Sequence, residues 1–168
     1  MKVFIIAAIT ADGFIGKDST HSADWTSKED KQLFVRLTKE AGVMAMGSTT
    51  FRTIGRALPD RKTIIYTSKP SDFADIDGDV ETTNESPAEL IKRLAKTGFA
   101  SLAVCGGGQI YSLFLESGLV DELYLTVEPV IFGQGVPLFS KPSSVTLELL
   151  EQSMLNEQTV LLHYKVKQ

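Results

Sequence analysis

Along the first two thirds of the chain, short continuous apolar runs alternate with longer stretches in which apolar residues recur every three or four positions. A brief apolar run bounded by turn residues predicts a strand buried on both faces, and the three-to-four spacing predicts an amphipathic helix. The first run, Met1 to Ile9, leads to an Asp12-Gly13 turn. It is too short, and lacks the cleavage site, for a secretory leader, so it reads as a buried first strand. The polar stretch Lys17 to Asp24 is a loop. Thr26 with Glu29 three residues on forms a capping-box pattern, and Leu33, Phe34, Leu37 and Ala41 then share a helical face, which predicts a helix over roughly 27–41. Val43 to Met46 is a second strand, closed by Gly47 and followed by Ser48-Thr49-Thr50, residues suited to a helix N-terminus. Leu58 to Arg61 is a turn, Lys62 to Ser68 a strand, and the Asp-rich residues 71–79 an exposed connection. Ser86-Pro87-Ala88-Glu89 supplies a cap, a first-turn proline and a third-position Glu for a helix reaching about Thr97, where Gly98 ends it.

Leu102 to Cys105 is again apolar, breaks into Gly106-Gly107-Gly108, and resumes as an amphipathic helix from Gln109-Ile110-Tyr111 to near Gly118. Three glycines remove every β-carbon where a strand turns into a helix, so a ligand can approach the backbone and meet the outward amides of the helix start. Gly47 to Thr50 and the polar strand end Thr67-Ser68-Lys69 offer two further anion-binding termini. A strand over 122–130 precedes a Gly/Pro-punctuated excursion, Pro129 to Phe139, and two β-rich runs, about 145–154 and 158–167, close the chain as an antiparallel pair. The architecture expected is α/β: a mostly parallel central sheet with an antiparallel C-terminal edge hairpin and helices on both faces, as one domain over residues 1–168.

Composition narrows the function. A chain of 168 residues that is 43% hydrophobic can bury one core. With a net charge of −4 and no run of basic residues, it lacks a nucleic-acid footprint. No Cys/His spacing suits a metal, and the single cysteine, Cys105, rules out an internal disulfide and fits a reducing cytoplasm. A small-molecule partner is expected, with no membrane association, for a monomer or homodimer.

Ordered along the chain are Ala7-Ala8 with Ile15-Gly16, Trp25 with Asp30 and Phe34, Met46-Gly47 with Thr50-Phe51, Ile54 to Lys62, the strand Thr63 to Ser68, Gly106 to Tyr111, and Leu123-Tyr124-Leu125-Thr126. In this set the sequence resembles dihydrofolate reductase, over nearly its whole length. The resemblance implies that family's three-layer fold, NADPH as cofactor, and hydride transfer from the nicotinamide to 7,8-dihydrofolate, giving tetrahydrofolate. It implies Asp30 and Thr126 as the catalytic pair, Asp30 bonding the pterin edge. Ile6, Ala8, Phe34, Ile54, Arg61 and Tyr111 would complete the substrate site, Arg61 gripping the glutamate carboxylate. Cofactor contacts would come from Ala8, Ile15, Gly16, Gly47, Ser48, Thr49, Thr50, Thr67, Ser68, Lys69, Cys105, Gly106, Gly107, Gly108, Gln109, Ile110 and Tyr111, with the loop Gly16 to Asp24 closing over the nicotinamide. Where family members often carry arginines, this chain has Ser48 and Gln109, which leaves Lys69 as the charge for the 2′-phosphate.

Taken alone, the same residues have plainer readings. Asp30 is also a first-turn carboxylate favourable to the helix dipole, Arg61 a solvated surface arginine, and Thr126 a β-branched strand residue. Trp25 and Tyr111 serve equally well as core packing, and His21 and His163 have no assigned role. Pro129 to Phe139, Thr10 to Gly13 and Trp25-Thr26-Ser27 lean toward the reductase domain of riboflavin-synthesis enzymes, which share the fold. Two alternatives therefore stay open: a reductase of a ribosylamino-pyrimidine phosphate, and a catalytically silent nucleotide-binding module.

Overall fold

In the computed structural model, residues 1–141 and 144–167 are described. Its centre is an eight-stranded sheet. In chain order its strands are β1 (Lys2–Thr10), β3 (Val43–Gly47), β4 (Lys62–Tyr66), β5 (Val80–Thr83), β6 (Ser101–Val104), β7 (Glu122–Glu128), β9 (Thr146–Met154) and β10 (Val160–Lys167). Across the sheet they lie in the order β5-β4-β3-β6-β1-β7-β10-β9. From β5 to β7 every pairing is parallel; β10 joins β7 antiparallel, and β9 pairs antiparallel with β10 at the outer edge. The mostly parallel sheet with an antiparallel C-terminal edge is thus the architecture expected from the pattern.

β1 shows why its sequence is apolar without interruption. Side chains alternate across a strand, and here both faces are covered. Val3, Ile5 and Ala7 join one core cluster with Leu90, Leu94 and Phe114; Phe4 and Ile6 join the other with Leu33, Leu37 and Phe51. The first cluster is roofed by α3 (Pro87–Lys96) and α4 (Gly108–Glu116), the second by α1 (Lys28–Ala41) and α2 (Ser48–Ile54). No helix among the described residues is long and apolar enough to cross a membrane.

The helix starts divide into two kinds. On α1 the Ser27 hydroxyl accepts from the Asp30 amide, and on α3 Ser86 and Glu89 form a reciprocal capping box. α2 and α4 begin instead at Gly47 and Gly107, with no side chain on their leading amides.

Four details differ from the sequence reading. The cap of α1 is Ser27, one residue after Thr26, which places Asp30 at the third helical position. β5 forms just beyond the 71–79 connection, where the sequence reading assigned no element, because Val80-Glu81-Thr82-Thr83 can pair along the exposed flank of β4. The strands predicted to reach Ser68 and Val130 stop at Tyr66 and Glu128. Within the excursion, β8 (Val136–Pro137) pairs with β2 (Phe14–Gly16) as a separate two-stranded sheet.

Candidate active site

β1, β3 and β6 are parallel neighbours, so their carboxyl ends lie on one side of the sheet, where open α/β sheets bind ligands. The Gly47 amide donates to the Gly106 carbonyl at 2.8 Å and the Cys105 amide to Ala45 at 2.8 Å, which fastens the start of α2 to the start of α4. The Gly106–Gly107 peptide is cis. The Tyr111 hydroxyl donates to the Ile6 carbonyl at 2.8 Å, tying α4 to β1. Burial, together with Cys105 and Asp30, holds that phenol well above its usual pKa, so it stays a neutral donor.

The glycines of this junction have different tasks. A β-carbon on Gly107 would lie 3.2 Å from the Thr50 hydroxyl and 4.0 Å from Ile15 Cδ1, between the two uncapped helix starts. On Gly108 it would lie 2.9 Å from the Pro137 carbonyl, and Gly106 needs a φ of +105° with the Tyr111 ring alongside. The bare backbone expected for a ligand therefore belongs to Gly107. Gly106 and Gly108 are glycines because the protein's own chain passes close by. Ile15, Gly47, Thr50, Ile110 and Gly107 are brought together, and Ser48 stands at the open start of α2. Thr49 and Gln109 are exposed beside them.

Thr67 follows Tyr66, which is paired with Gly47 on the neighbouring strand. Ser68 and Lys69 are exposed there, the Lys69 amide bonding the Thr67 hydroxyl at 3.0 Å. Nearby cations are taken: Arg52 pairs with Asp72, and Arg93 with Glu81 and Glu85. Lys69 has no acidic partner among the described residues.

Asp30 faces the sheet from the first turn of α1 and is 8% exposed. Burial raises its carboxyl above the usual range; the hydroxyls of Thr126 and Thr26 and the Lys31 ammonium pull the other way, while Glu128 adds to the rise. Thr126 lies on β7 opposite Ala8 of β1 and is 1% exposed. Its hydroxyl is near enough to Asp30 to favour the ionised carboxylate, yet it completes a well-formed hydrogen bond with no described group. A buried hydroxyl without a partner beside a buried carboxyl is costly unless a ligand completes it. Phe34 and Ile54 are half-buried and pack against the cluster holding Phe4 and Ile6.

Arg61 is not a solvated surface residue, the plain reading of its sequence position. It is 6% exposed, donating from Nε to the Pro59 carbonyl at 3.0 Å and from Nη1 to the Val35 carbonyl at 3.3 Å and to the Thr38 hydroxyl. It locks the 58–61 turn to the last turns of α1, with Nη2 left unpartnered among the described residues.

Two site features escaped the sequence reading. Glu128 is 3% exposed and accepts from the Ser27 amide at 2.7 Å and the Thr159 hydroxyl at 2.9 Å. The two-residue period of β7 carries the signal, since it sets Tyr124, Thr126 and Glu128 on one face. Asp12 accepts from the Thr10 hydroxyl and from the Phe132 and Gly133 amides, docking the excursion onto the loop that follows β1. The Phe132 ring meets Trp25 and His21 edge-on, so the loop Gly16 to Asp24 is held down from above. No group of His, Cys, Asp or Glu among the described residues is placed to hold a metal ion.

The sequence matches the family model described as dihydrofolate reductase over residues 2–141. The chain belongs to the dihydrofolate reductase family. It is similar to the uncharacterized protein YwjB of Bacillus subtilis, 25% identical over 97% of each chain. Among solved structures, a putative riboflavin biosynthesis protein from Shewanella sp. PV-4 matches with a TM-score of 0.82 at 22% identity, covering all of both chains. Dihydrofolate reductase from Enterococcus faecalis, complexed with NADP(H), matches with a TM-score of 0.76 at 22% identity, over 99% of this chain and 97% of that one. The fold expected from the resemblance is therefore the one observed.

Proposed function

We propose that the chain is an NADPH-dependent reductase that converts 7,8-dihydrofolate to tetrahydrofolate, acting as a single domain. The observation that carries this reading is the buried Asp30 carboxyl beside the unpartnered Thr126 hydroxyl: together they supply the acceptor edge that an amidine-like pterin ring needs. Family membership and the NADP(H) bound to the Enterococcus faecalis relative support a nicotinamide cofactor.

The residues fit such a cofactor. Gly107 with the uncapped starts of α2 and α4 would hold its pyrophosphate, since orphan helix-terminal amides favour anions. Thr67, Ser68 and Lys69 would reach its adenosine end. Bound there, the cofactor would supply the hydride. The protein's share is positioning and proton control. Asp30, its pKa raised mainly by burial, fixes the ring so that N5 can be protonated as C6 accepts hydride. Tyr111 stays neutral and keeps the Ile6 carbonyl in place, and the docked loop Gly16 to Asp24 excludes water.

One observation favours a second substrate. Within the segment 129–139, β8 pairs with β2, and the putative riboflavin biosynthesis protein of Shewanella sp. PV-4 is matched end to end. The reading there is reduction of a ribosylamino-pyrimidine phosphate by the same cofactor. Oxidation of NADPH followed by absorbance, with each compound offered in turn, tests both. Turnover of dihydrofolate alone supports the first reading, turnover of the pyrimidine phosphate alone replaces it with the second, and no turnover with nucleotide still bound leaves the silent module.

A further inference from the structure

Two carboxylates are buried at the first turn of α1, and only one of them belongs to the substrate site. Asp30 reaches toward Thr126, whereas Glu128 lies behind it. The two are joined through the helix cap: Glu128 accepts the Ser27 amide at 2.7 Å, and the Ser27 hydroxyl accepts the Asp30 amide at 3.2 Å. The other Glu128 oxygen accepts from Thr159 at 2.9 Å, so both oxygens are filled by donors, an arrangement that suits an ionised carboxylate. A cavity of about 470 Å³ backs this cluster; Trp25, Thr26, Glu128, Asn156 and Thr159 are among its lining residues. Thr26 lines the cavity and gives its hydroxyl proton to the Ala23 carbonyl at 3.2 Å.

We propose that Glu128 is a positioning residue for Asp30: held by Ser27 and Thr159 at the base of α1, it sets a second buried carboxylate beside the first and biases Asp30 toward its protonated form. Its consequence for turnover rests on the reductase reading above. Like charges in a dry site cannot both persist at low cost, and the one with better donors keeps the charge. Glu128 has a backbone amide and a hydroxyl, the first also drawing on the positive end of the helix dipole. Among the described residues the Asp30 carboxyl receives no side-chain hydrogen bond of good geometry, since Thr126 completes none and Thr26 donates to the Ala23 carbonyl at 3.2 Å. The other charged and titratable groups around Asp30 do not reverse this. Lys31, on its own helix, spends its ammonium on the Thr26 carbonyl at 3.0 Å. Glu29 is turned to Asn156 at 3.0 Å. Among the described residues, α4 contributes Tyr111, held neutral.

The test is an NMR titration of side-chain carboxyl carbons in the ligand-free protein, with Asp30→Asn identifying the Asp30 signal. In Glu128→Gln, which retains a side chain able to bond Ser27 and Thr159, the Asp30 midpoint should move to lower pH, toward the ordinary carboxylate range. In Glu128→Asp, which keeps the charge but withdraws it, the midpoint should lie between the two. A midpoint equal to the parent's in Glu128→Gln overturns the proposal and leaves Glu128 as an anchor of the fold. Should that variant not fold, a parental midpoint in Glu128→Asp overturns it equally. The titration uses no substrate. An inactive parent would therefore sink the reductase reading and leave this result standing, whereas with activity the pH–rate limb assigned to Asp30 should move with the NMR midpoint.

Discussion

Asp30 sets function against stability within one side chain. Its carboxyl, ordinarily near 3.8, is raised in the folded state mainly by burial. A group whose folded pKa is raised contributes its full stability below the unfolded value and loses it as pH rises through the folded value. Asp30→Asn, neutral at every pH, should therefore be more stable than the parent at pH 8, with the gap closing toward pH 4. Urea midpoints at the two pH values check this. The same variant should lose hydride transfer on the order of 100-fold or more, most severely at neutral and higher pH, where unaided N5 protonation is scarce. A variant that is stabilised and still fully active would make Asp30 a helix-terminus charge. At the end of β4, Lys69 has no acidic partner among the described residues, and under the proposed function it faces the 2′-phosphate. Lys69→Ala should weaken NADPH binding about fivefold, the upper end for an exposed ion pair, and leave NADH unchanged. Equal losses in parallel fluorescence titrations would remove Lys69 from the preference.

Among the elements, the starts of the helices separate scaffold from site. Those of α1 and α3 are closed by serines, whereas α2 and α4 open at Gly47 and Gly107 at the carboxyl ends of β3 and β6. Two substitutions one residue apart should behave differently. Gly108→Ala sets a β-carbon 2.9 Å from the Pro137 carbonyl, a backbone atom that cannot turn aside. It should cost roughly 1–3 kcal/mol, lowering Tm by about 2–4 °C for each kcal/mol, with or without nucleotide. Gly107→Ala meets only the end of the Thr50 side chain at 3.2 Å and a methyl of Ile15 at 4.0 Å. It should keep its Tm and lose NADPH affinity roughly 5- to 150-fold, as overpacking of a binding surface would. Calorimetry paired with titration reads both. The long elements were legible because their apolar periods are strong: both faces of β1 are covered, and α3 announces itself by Ser86-Pro87. What was not legible depended on partners distant in sequence. β5 is four residues, two of them threonine, defined by pairing with β4. Arg61 looks solvated until the end of α1 supplies Val35 and Thr38 as its acceptors. The spacing to Glu29 points to Thr26 as the cap, whereas Ser27 caps the helix with its amide held by Glu128.

Across the whole molecule, the sheet and its helices form one packed body, while the parts flanking the strand ends are fastened by few bonds. The 129–139 excursion pairs with Phe14–Gly16 through short β8, its Phe132 ring covers Trp25 and His21, and Gly135 lies so close to the Gly16 carbonyl that no β-carbon would fit. Asp12 is the clasp: its carboxylate accepts the Gly133 amide at 2.7 Å, the Phe132 amide at 3.2 Å and the Thr10 hydroxyl at 2.6 Å. These bonds, the Thr10 hydroxyl foremost, lower its pKa below the ordinary 3.8. A depressed carboxyl contributes above its unfolded pKa, and that contribution is lost as pH falls through its folded value. The clasp should hold throughout the neutral range and release only in acid below 3.8. Asp12→Ala should release it at every pH. Hydrogen exchange at the Phe132 and Gly133 amides should then accelerate, and that of Phe14 to Gly16 with it, while the central strands keep parental protection because Asp12 takes no part in their pairing. If the Gly16 to Asp24 loop shields the reacting atoms, the variant should also show slower hydride transfer with nucleotide affinity retained, a loss in kcat rather than in binding. Exchange confined to Gly133 alone, with turnover at the parental rate, would mean that the excursion and the loop move independently and that closure owes nothing to Asp12.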